Sequence, residues 1–248
     1  MSRPDGRAPD ALRPVSIETG VQEFPAGSAL ITCGRTRVLC AASVAEEVPR
    51  WRRGSGLGWV TAEYAMLPGA TSERSSREVS RGRVGGRTSE IQRLIGRSFR
   101  SVVDLSAMGE RVVIVDCDVL QADGGTRTAS VTGGWVALRL AFEQLSSQGL
   151  LEGPPPLDPL AAVSVGIVDG EPRLDLDYAE DSAAGVDMNV VMTGDGRYVE
   201  LQGTAEEEPF SRTEHDALLA LAASGCEQLL DLQADAVKAV SAAGAAGA

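Results

Sequence analysis

Asp118-Val119-Leu120-Gln121-Ala122-Asp123-Gly124-Gly125-Thr126-Arg127-Thr128 joins an apolar run, Val112 to Val119, to a small-residue, helix-prone run, Ala129 to Leu145. The Gly-Gly-Thr-Arg step therefore falls where a strand hands over to a helix. Such a junction presents free backbone N–H groups, a hydroxyl and a guanidinium at one helix N-terminus, where the dipole also favours an anion. The planar fork of Arg127 matches phosphate oxygens. A plain glycine turn with a threonine cap fits the same residues, so the step alone leaves both readings open.

Upstream, alternating apolar residues predict strands at Val15–Ile17, Ser28–Cys33, Arg37–Ala45 and Gly58–Met66, with a hairpin turn at Gly34-Arg35. An arginine- and serine-rich segment, Pro68 to Gly86, follows. A helix from about Thr88 to Val103 carries Ile91, Leu94, Ile95, Phe99, Val102 and Val103 at helical spacing. The strand Arg111–Val119 and the helix from Arg127 close this half. Downstream of the stiff connector Gly153-Pro154-Pro155-Pro156, strand-like runs recur at Leu160–Ile167, Arg173–Leu176, Asp187–Met192 and Tyr198–Leu201. A long helix from about Thr213 to Val240 ends the pattern. Strands followed by helices, twice, predict an α+β fold with mixed sheets and helices on their faces. The expected organisation is one domain over 1–241 built from two duplicated halves (about 1–150 and 157–241), then a frayed Ala/Gly tail, 242–248.

The net charge of −12 argues against a general nucleic-acid binder, but the charges are not spread evenly. Lys238 is the only lysine, and between Arg50 and Arg100 eleven arginines face only four glutamates. A focused basic patch on an acidic body suits a polyanion guided to one place. Cys33, Cys40, Cys117 and Cys226 are scattered without a C-x-x-C pair, which disfavours zinc and disulfides and fits buried fillers in a reduced, cytoplasmic setting. The polar start Met1 to Arg13 is not a signal peptide, and no apolar run is long enough to span a membrane. No Walker-type lysine loop and no Gly-x-Ser-x-Gly elbow is present. The single histidine, His215, sits in a polar helix start, where a surface or capping role is expected.

Three constellations remain. The first would grip an anion: Arg87, in the glycine-led helix start Gly85-Gly86-Arg87-Thr88, together with Gly125, Thr126 and Arg127. The second is acidic. Asp181 and Asp187 lie six residues apart, ~20 Å on a straight strand, yet Ser182 to Gly185 allow a bend that brings both to one point. Two carboxylates with phosphate oxygens and water would hold Mg²⁺, and one of them could act as a general acid toward a leaving oxygen; a solvated acidic turn is the competing reading. Asp116, Asp118 and Asp123 form a further acidic group that could equally be structural. The third is the polar loop Pro68 to Arg83, including Arg74 and Arg77, suited to a nucleic-acid backbone or to no ligand at all.

Taken in order, these residues resemble the ribonuclease PH family of phosphate-dependent 3′-exoribonucleases over almost the whole chain. The resemblance rests on Asp5-Gly6-Arg7, Leu12-Arg13-Pro14-Val15, Gly58 to Pro68, Gly85 to Ile95, Asp116 to Ser130, Glu180 to Ala184, Asp187 to Thr193 and Gln202 to Glu206. It implies a fold like domain 2 of ribosomal protein S5 and a cytoplasmic homohexamer, a trimer of dimers. It also implies trimming of the 3′ ends of tRNA precursors with inorganic phosphate as co-substrate, release of nucleoside diphosphates, and Mg²⁺ as cofactor. By the same resemblance Arg87, Thr126 and Arg127 bind phosphate, Asp181 and Asp187 are the catalytic, metal-associated pair, and Arg74 and Arg77 contact tRNA and support ring assembly. One departure is Gly69, where many relatives carry a basic residue after Leu-Pro, which puts one RNA contact in doubt. Two alternatives are an inert RNA-binding subunit of an exosome-like ring and a hydrolytic metal-dependent nuclease. The first would be expected to lose phosphate or metal residues that this chain keeps.

Overall fold

In a computed structural model that describes residue 3 and residues 5–206 and 208–246, the chain forms two sheets with helices on their faces. The first sheet contains β1 (Val15–Thr19), β2 (Gly27–Cys33), β3 (Thr36–Ala45), β4 (Trp59–Met66) and β5 (Val112–Gln121) in the order β1-β2-β3-β5-β4. All its pairs are antiparallel except β4 with β5. That pair is parallel because α1 (Gly86–Arg100) returns the chain between them. The β2–β3 hairpin closes with Cys33 opposite Thr36, and Gly34 takes the positive φ of 56° that the tight turn requires.

After β5 the chain enters α2 (Thr126–Ser147), then β6 (Leu160–Val168), β7 (Glu171–Leu174), the single turn α3 (Tyr178–Asp181), β8 (Val186–Thr193), β9 (Tyr198–Ala205) and α4 (Arg212–Ala246). The second sheet is antiparallel, in the order β7-β6-β8-β9. Helix α2 packs on β2 and β3 and also on β6, so it is apolar all round rather than striped. Its Gly133 and Gly134 explain how it fits. A Cβ on Gly133 would lie 2.7 Å from Ile31, and one on Gly134 2.7 Å from Phe99. Strand β6 is buried along its whole length. Leu160 and Ala162 join the core shared with α2, and Ala161, Val163 and Val165 join the core under α4. That is why its sequence is a continuous apolar run rather than an alternating one.

The expected α+β architecture is present, with element ends shifted by a few residues. The four cysteines are buried, as expected of fillers, and burial pushes the Cys33 and Cys226 thiols up to about 12. Two expectations change. Helix α4 runs through Ala246, beyond its expected end near Val240, because alanine is the best helix former; residues 247 and 248 lie outside the described residues. The strand expected at Arg173–Leu176 stops at Leu174, since Asp175 adopts a left-handed φ of 54° and turns the chain into α3. No described helix is long and apolar enough to cross a membrane.

Candidate active site

Parallel strands β4 and β5 end side by side, and the chain leaving β5 turns through Gly124 (φ 75°) and Gly125 (φ 66°) into α2. Their carboxyl ends open a cleft of about 870 Å³. Its lining includes Arg87, Gly125, Thr126, Arg127, Asp181 and Asp187, so one site collects the expected anion-binding residues and the expected acidic pair, while Arg74 and Arg77 lie outside it.

The glycine turn is held from behind. Thr36 donates its hydroxyl to the Gly124 carbonyl at 2.7 Å and accepts from the Asp123 N–H at 2.9 Å. Arg13 donates to the Asp123 carbonyl at 2.5 Å and is itself fixed by the Asp175 carboxylate at 2.7 and 2.9 Å. With the carbonyls engaged there, the first-turn N–H groups of α2 lack intrahelical acceptors and suit an anion. The Thr126 hydroxyl is buried and shares a 2.8 Å hydrogen bond with the Tyr64 hydroxyl on β4. The Arg127 side chain is only 14% exposed; its guanidinium bonds the Gln202 amide oxygen on β9 and lies 3.5 Å from Glu90 on α1. Gln202 also donates to Glu90 at 3.2 Å, which closes the group. The side chain is thus oriented in advance.

The acidic pair faces these cations. Asp181 ends α3, and Asp187 follows on β8 opposite Thr204. The bend between them comes partly from Ser182 to Gly185, as expected, and partly from α3, which the sequence reading did not include. Its signal was legible: Asp177 and Glu180 form a capping box, with the Asp177 carboxylate accepting from Glu180 N–H at 2.9 Å. Loss of water contact pushes the Asp187 carboxyl up to about 6, with the neighbouring Asp181 and Glu206 charges adding to it and Arg127 and Arg87 opposing it. Partial desolvation also raises Asp181, against the pull of Arg87, Arg127 and Arg13. Asp187 Oδ1 is buried without a hydrogen-bond partner. A pair of crowded carboxylates with an orphaned oxygen is a fit for a divalent cation. Among the described residues no three His, Cys, Asp or Glu groups cluster to supply further ligands, so other oxygens would complete the shell.

Three arginines that sequence reasoning gave no role, Arg3, Arg13 and Arg173, support this geometry. Arg3 is buried and donates to the two Glu180 oxygens at 2.8 and 2.7 Å, next to Asp181. Arg173 meets the same carboxylate at 3.3 Å. Glu180 is held below the usual carboxylate range: burial pushes it up, and the Arg3 hydrogen bonds and charge more than reverse that. Arg13 and Arg3 therefore tie the N-terminal arm to the glycine turn and to α3 together.

Other expectations shift. At the helix start Gly85-Gly86, Glu78 accepts from the N–H of Gly85, the residue before α1, at 3.0 Å and from the Thr88 hydroxyl at 2.9 Å, and Arg87 lines the cleft. Arg74 and Arg77 are exposed on the preceding loop, outside the cleft lining. That loop carries a short helical turn at Glu78–Arg81 and a 2.9 Å bond from Ser75 N–H to the Pro68 carbonyl. Asp116 and Asp118 lie on the sheet face away from the core formed by Val115, Cys117 and Val119. Desolvation, then Glu63 and Asp118, pushes Asp116 up to about 6. Only Asp123 of that group lines the cleft. His215 stacks on Phe210 in the first turn of α4, in keeping with a surface role.

The model of the 3′ exoribonuclease family, domain 1, matches residues 11–142, and that of domain 2 matches residues 158–225. The chain belongs to the ribonuclease PH family. It is 59% identical over 240 residues to ribonuclease PH of Saccharopolyspora erythraea, covering 96% of both chains. It is 60% identical over 235 residues to ribonuclease PH of Methylobacterium nodulans, covering 95% of this chain and 99% of the other. Among solved structures, the Archaeoglobus fulgidus exosome with RNA bound to the active site shares the fold at a TM-score of 0.79 and 23% identity, over 93% of this chain and 92% of that one. An archaeal exosome core does so at 0.77 and 22%, over 94% and 91%. Identity at this level over the whole length makes the chain a phosphorolytic 3′-to-5′ exoribonuclease of the tRNA nucleotidyltransferase class.

The family's glycine turn gives a direct test of how the two walls fit. A Cβ on Gly124 would lie 2.4 Å from the Leu176 carbonyl oxygen and 2.9 Å from Tyr178 N, on a backbone that already needs positive φ. Gly124→Ala is expected to destabilise the protein by about 1–3 kcal/mol and to displace α3 from the turn. Thermal melts and a phosphorolysis assay would show both losses; a variant with parental melting and rate would refute the close fit.

Proposed function

We propose that this cleft trims 3′ extensions of tRNA precursors one nucleotide at a time, with each group in a distinct role. Arg127, Arg87, Thr126 and the N–H groups after Gly125 hold inorganic phosphate. Asp181 and Asp187 hold a divalent cation, Mg²⁺, which when bound would supply positive charge to the scissile group. The observation that carries the reading is the meeting of an oriented arginine, a free helix N-terminus and a crowded carboxylate pair in one cleft.

Phosphate and the target phosphodiester are both anionic and repel each other. Arg127 and Arg87 offset that charge and fix the attacking oxygen, while Tyr64, Gln202 and Glu90 keep the phosphate groups in place. A bond forms from a phosphate oxygen to the terminal phosphorus, and the bond from that phosphorus to the RNA 3′ oxygen breaks. The proton carried by phosphate ends on the new 3′ hydroxyl, and a nucleoside diphosphate leaves. One ester is exchanged for one anhydride, so excess nucleoside diphosphate should extend RNA.

Exposed Arg74 and Arg77 would guide the RNA backbone, in the cytoplasm, within a homohexamer built as a trimer of dimers. Residues 1–241 would act as one unit, because the cleft takes walls from both sheets. The Archaeoglobus fulgidus exosome, which shares the fold, holds RNA in its active site.

The test is a 3′-extended tRNA incubated with Mg²⁺, with and without inorganic phosphate. Nucleoside diphosphates released only with phosphate, and no release after chelation, are the expected result. Monophosphates in phosphate-free buffer would mean water attack and overturn the phosphate assignment. RNA binding without release would favour an inert ring subunit.

A further inference from the structure

Among the described residues, Tyr178 is the only aromatic residue in the lining of the cleft, and it is 66% exposed. By contrast Tyr64, the other tyrosine near the site, is 3% exposed and spends its hydroxyl on Thr126. A large ring left in water does nothing for the core, and rings of this kind are favoured where an apolar face meets a ligand. The backbone that carries it is anchored. Tyr178 opens α3, whose last residue is Asp181, so the ring and that carboxylate sit three residues apart on one helical turn. The backbone of Tyr178 rests on the glycine turn, with its N atom 2.9 Å from where a Gly124 Cβ would be. Arg3, Arg173 and the capping box anchor Glu180 and hold that turn in place. The ring is therefore carried on an anchored backbone in the same cleft lining as the glycine turn and the acidic pair.

We infer that Tyr178 is a stacking platform for the base of the RNA 3′-terminal nucleotide, an inference that rests on the phosphorolytic reading of the cleft. The backbone of the last nucleotide must lie between the phosphate groups and the carboxylates, and its base then needs a wall. An aromatic face accepts any base, because every base has a π-face, and it reads none by hydrogen bonds. An enzyme that removes successive nucleotides of different identity needs a subsite with that tolerance. The flat ring also sets the sugar and phosphate at a repeatable depth after each cycle. Purines, with the larger face, should be held better than pyrimidines.

The experiment compares the wild-type protein, Tyr178→Phe and Tyr178→Ala on two tRNA precursors, one with a normal 3′-terminal adenosine and one whose last nucleotide lacks its base. Because the ring is exposed, both variants should melt like the parent. Tyr178→Ala is expected to raise KM for the normal RNA about 10-fold. KM for inorganic phosphate should not change, and Tyr178→Phe should match the wild type. Removing the base should cost the wild type a similar factor and Tyr178→Ala almost nothing more. An unchanged RNA KM in Tyr178→Ala, or two losses that simply multiply, would overturn the platform while leaving normal wild-type turnover. A wild-type protein that releases no nucleoside diphosphate would overturn the phosphorolytic reading, and the platform with it.

Discussion

Asp187→Asn is expected to lower turnover by at least about 10²-fold and, in the metal-free protein, to raise the melting temperature. The two effects have one origin. Asp187 is surrounded by groups that disfavour its charge, and one of its oxygens is buried without a partner. On the proposed role of Asp187, the carboxylate is poised for a cation rather than for stability. The pH dependence follows from the sign of the shift. Folding raises this carboxyl from 3.8 to about 6, so the folded form binds the proton more tightly than the unfolded form between those values. Wild-type stability therefore falls as pH rises through that window, and the asparagine variant avoids the loss. With chelator present, the variant should gain about 1 kcal/mol above pH 6, an amount discounted for the open cleft, and little below pH 4. Melting curves across pH check this, alongside the rate assay and a gel-filtration profile that should be unaltered. A variant with parental turnover would remove Asp187 from the mechanism.

Arg127→Ala should lower kcat/KM for inorganic phosphate by about 10²- to 10³-fold while RNA binding in a gel or filter assay stays near normal. The guanidinium is locked before any phosphate arrives, by Gln202 and Glu90, so its removal takes away both charge and orientation. Substitution by lysine would restore charge but not the planar fork, and recovery should be partial. An equal loss of RNA binding would mean that Arg127 holds the RNA itself rather than the attacking phosphate.

The parts of this fold that the sequence discloses are those governed by short-range pattern. The alternation in Arg37–Ala45, the helical spacing of Ile91 to Phe99 and the glycine step before Arg127 each depend on near neighbours, and each appears in the structure. The cleft residues Arg87, Gly125, Thr126, Arg127, Asp181 and Asp187 were legible as types at telling positions, and the fold brings them together. What stayed hidden depends on partners far away in the chain. Arg3 gives no local sign of its bond to Glu180, 177 residues away. Gln202 and Tyr64 are ordinary strand residues until β9 and β4 are placed beside Arg127 and Thr126. The turn at α3 differs, since its capping box of Asp177 and Glu180 is a short-range pattern, embedded in a run of acidic residues.

The N-terminal arm also joins the two ends of the folding sequence. Arg3 and Arg13 find Glu180 and Asp175 across separations of 177 and 162 residues. During synthesis the first sheet and its glycine turn emerge long before those acids do, and closing so long a loop is a late event. A ribosome stalled in the connector Gly153-Pro154-Pro155-Pro156 would carry half a cleft with no carboxylate pair. On the proposed roles of Asp181 and Asp187, the cleft is therefore complete only after the last third of the chain has folded and the arm has closed onto it.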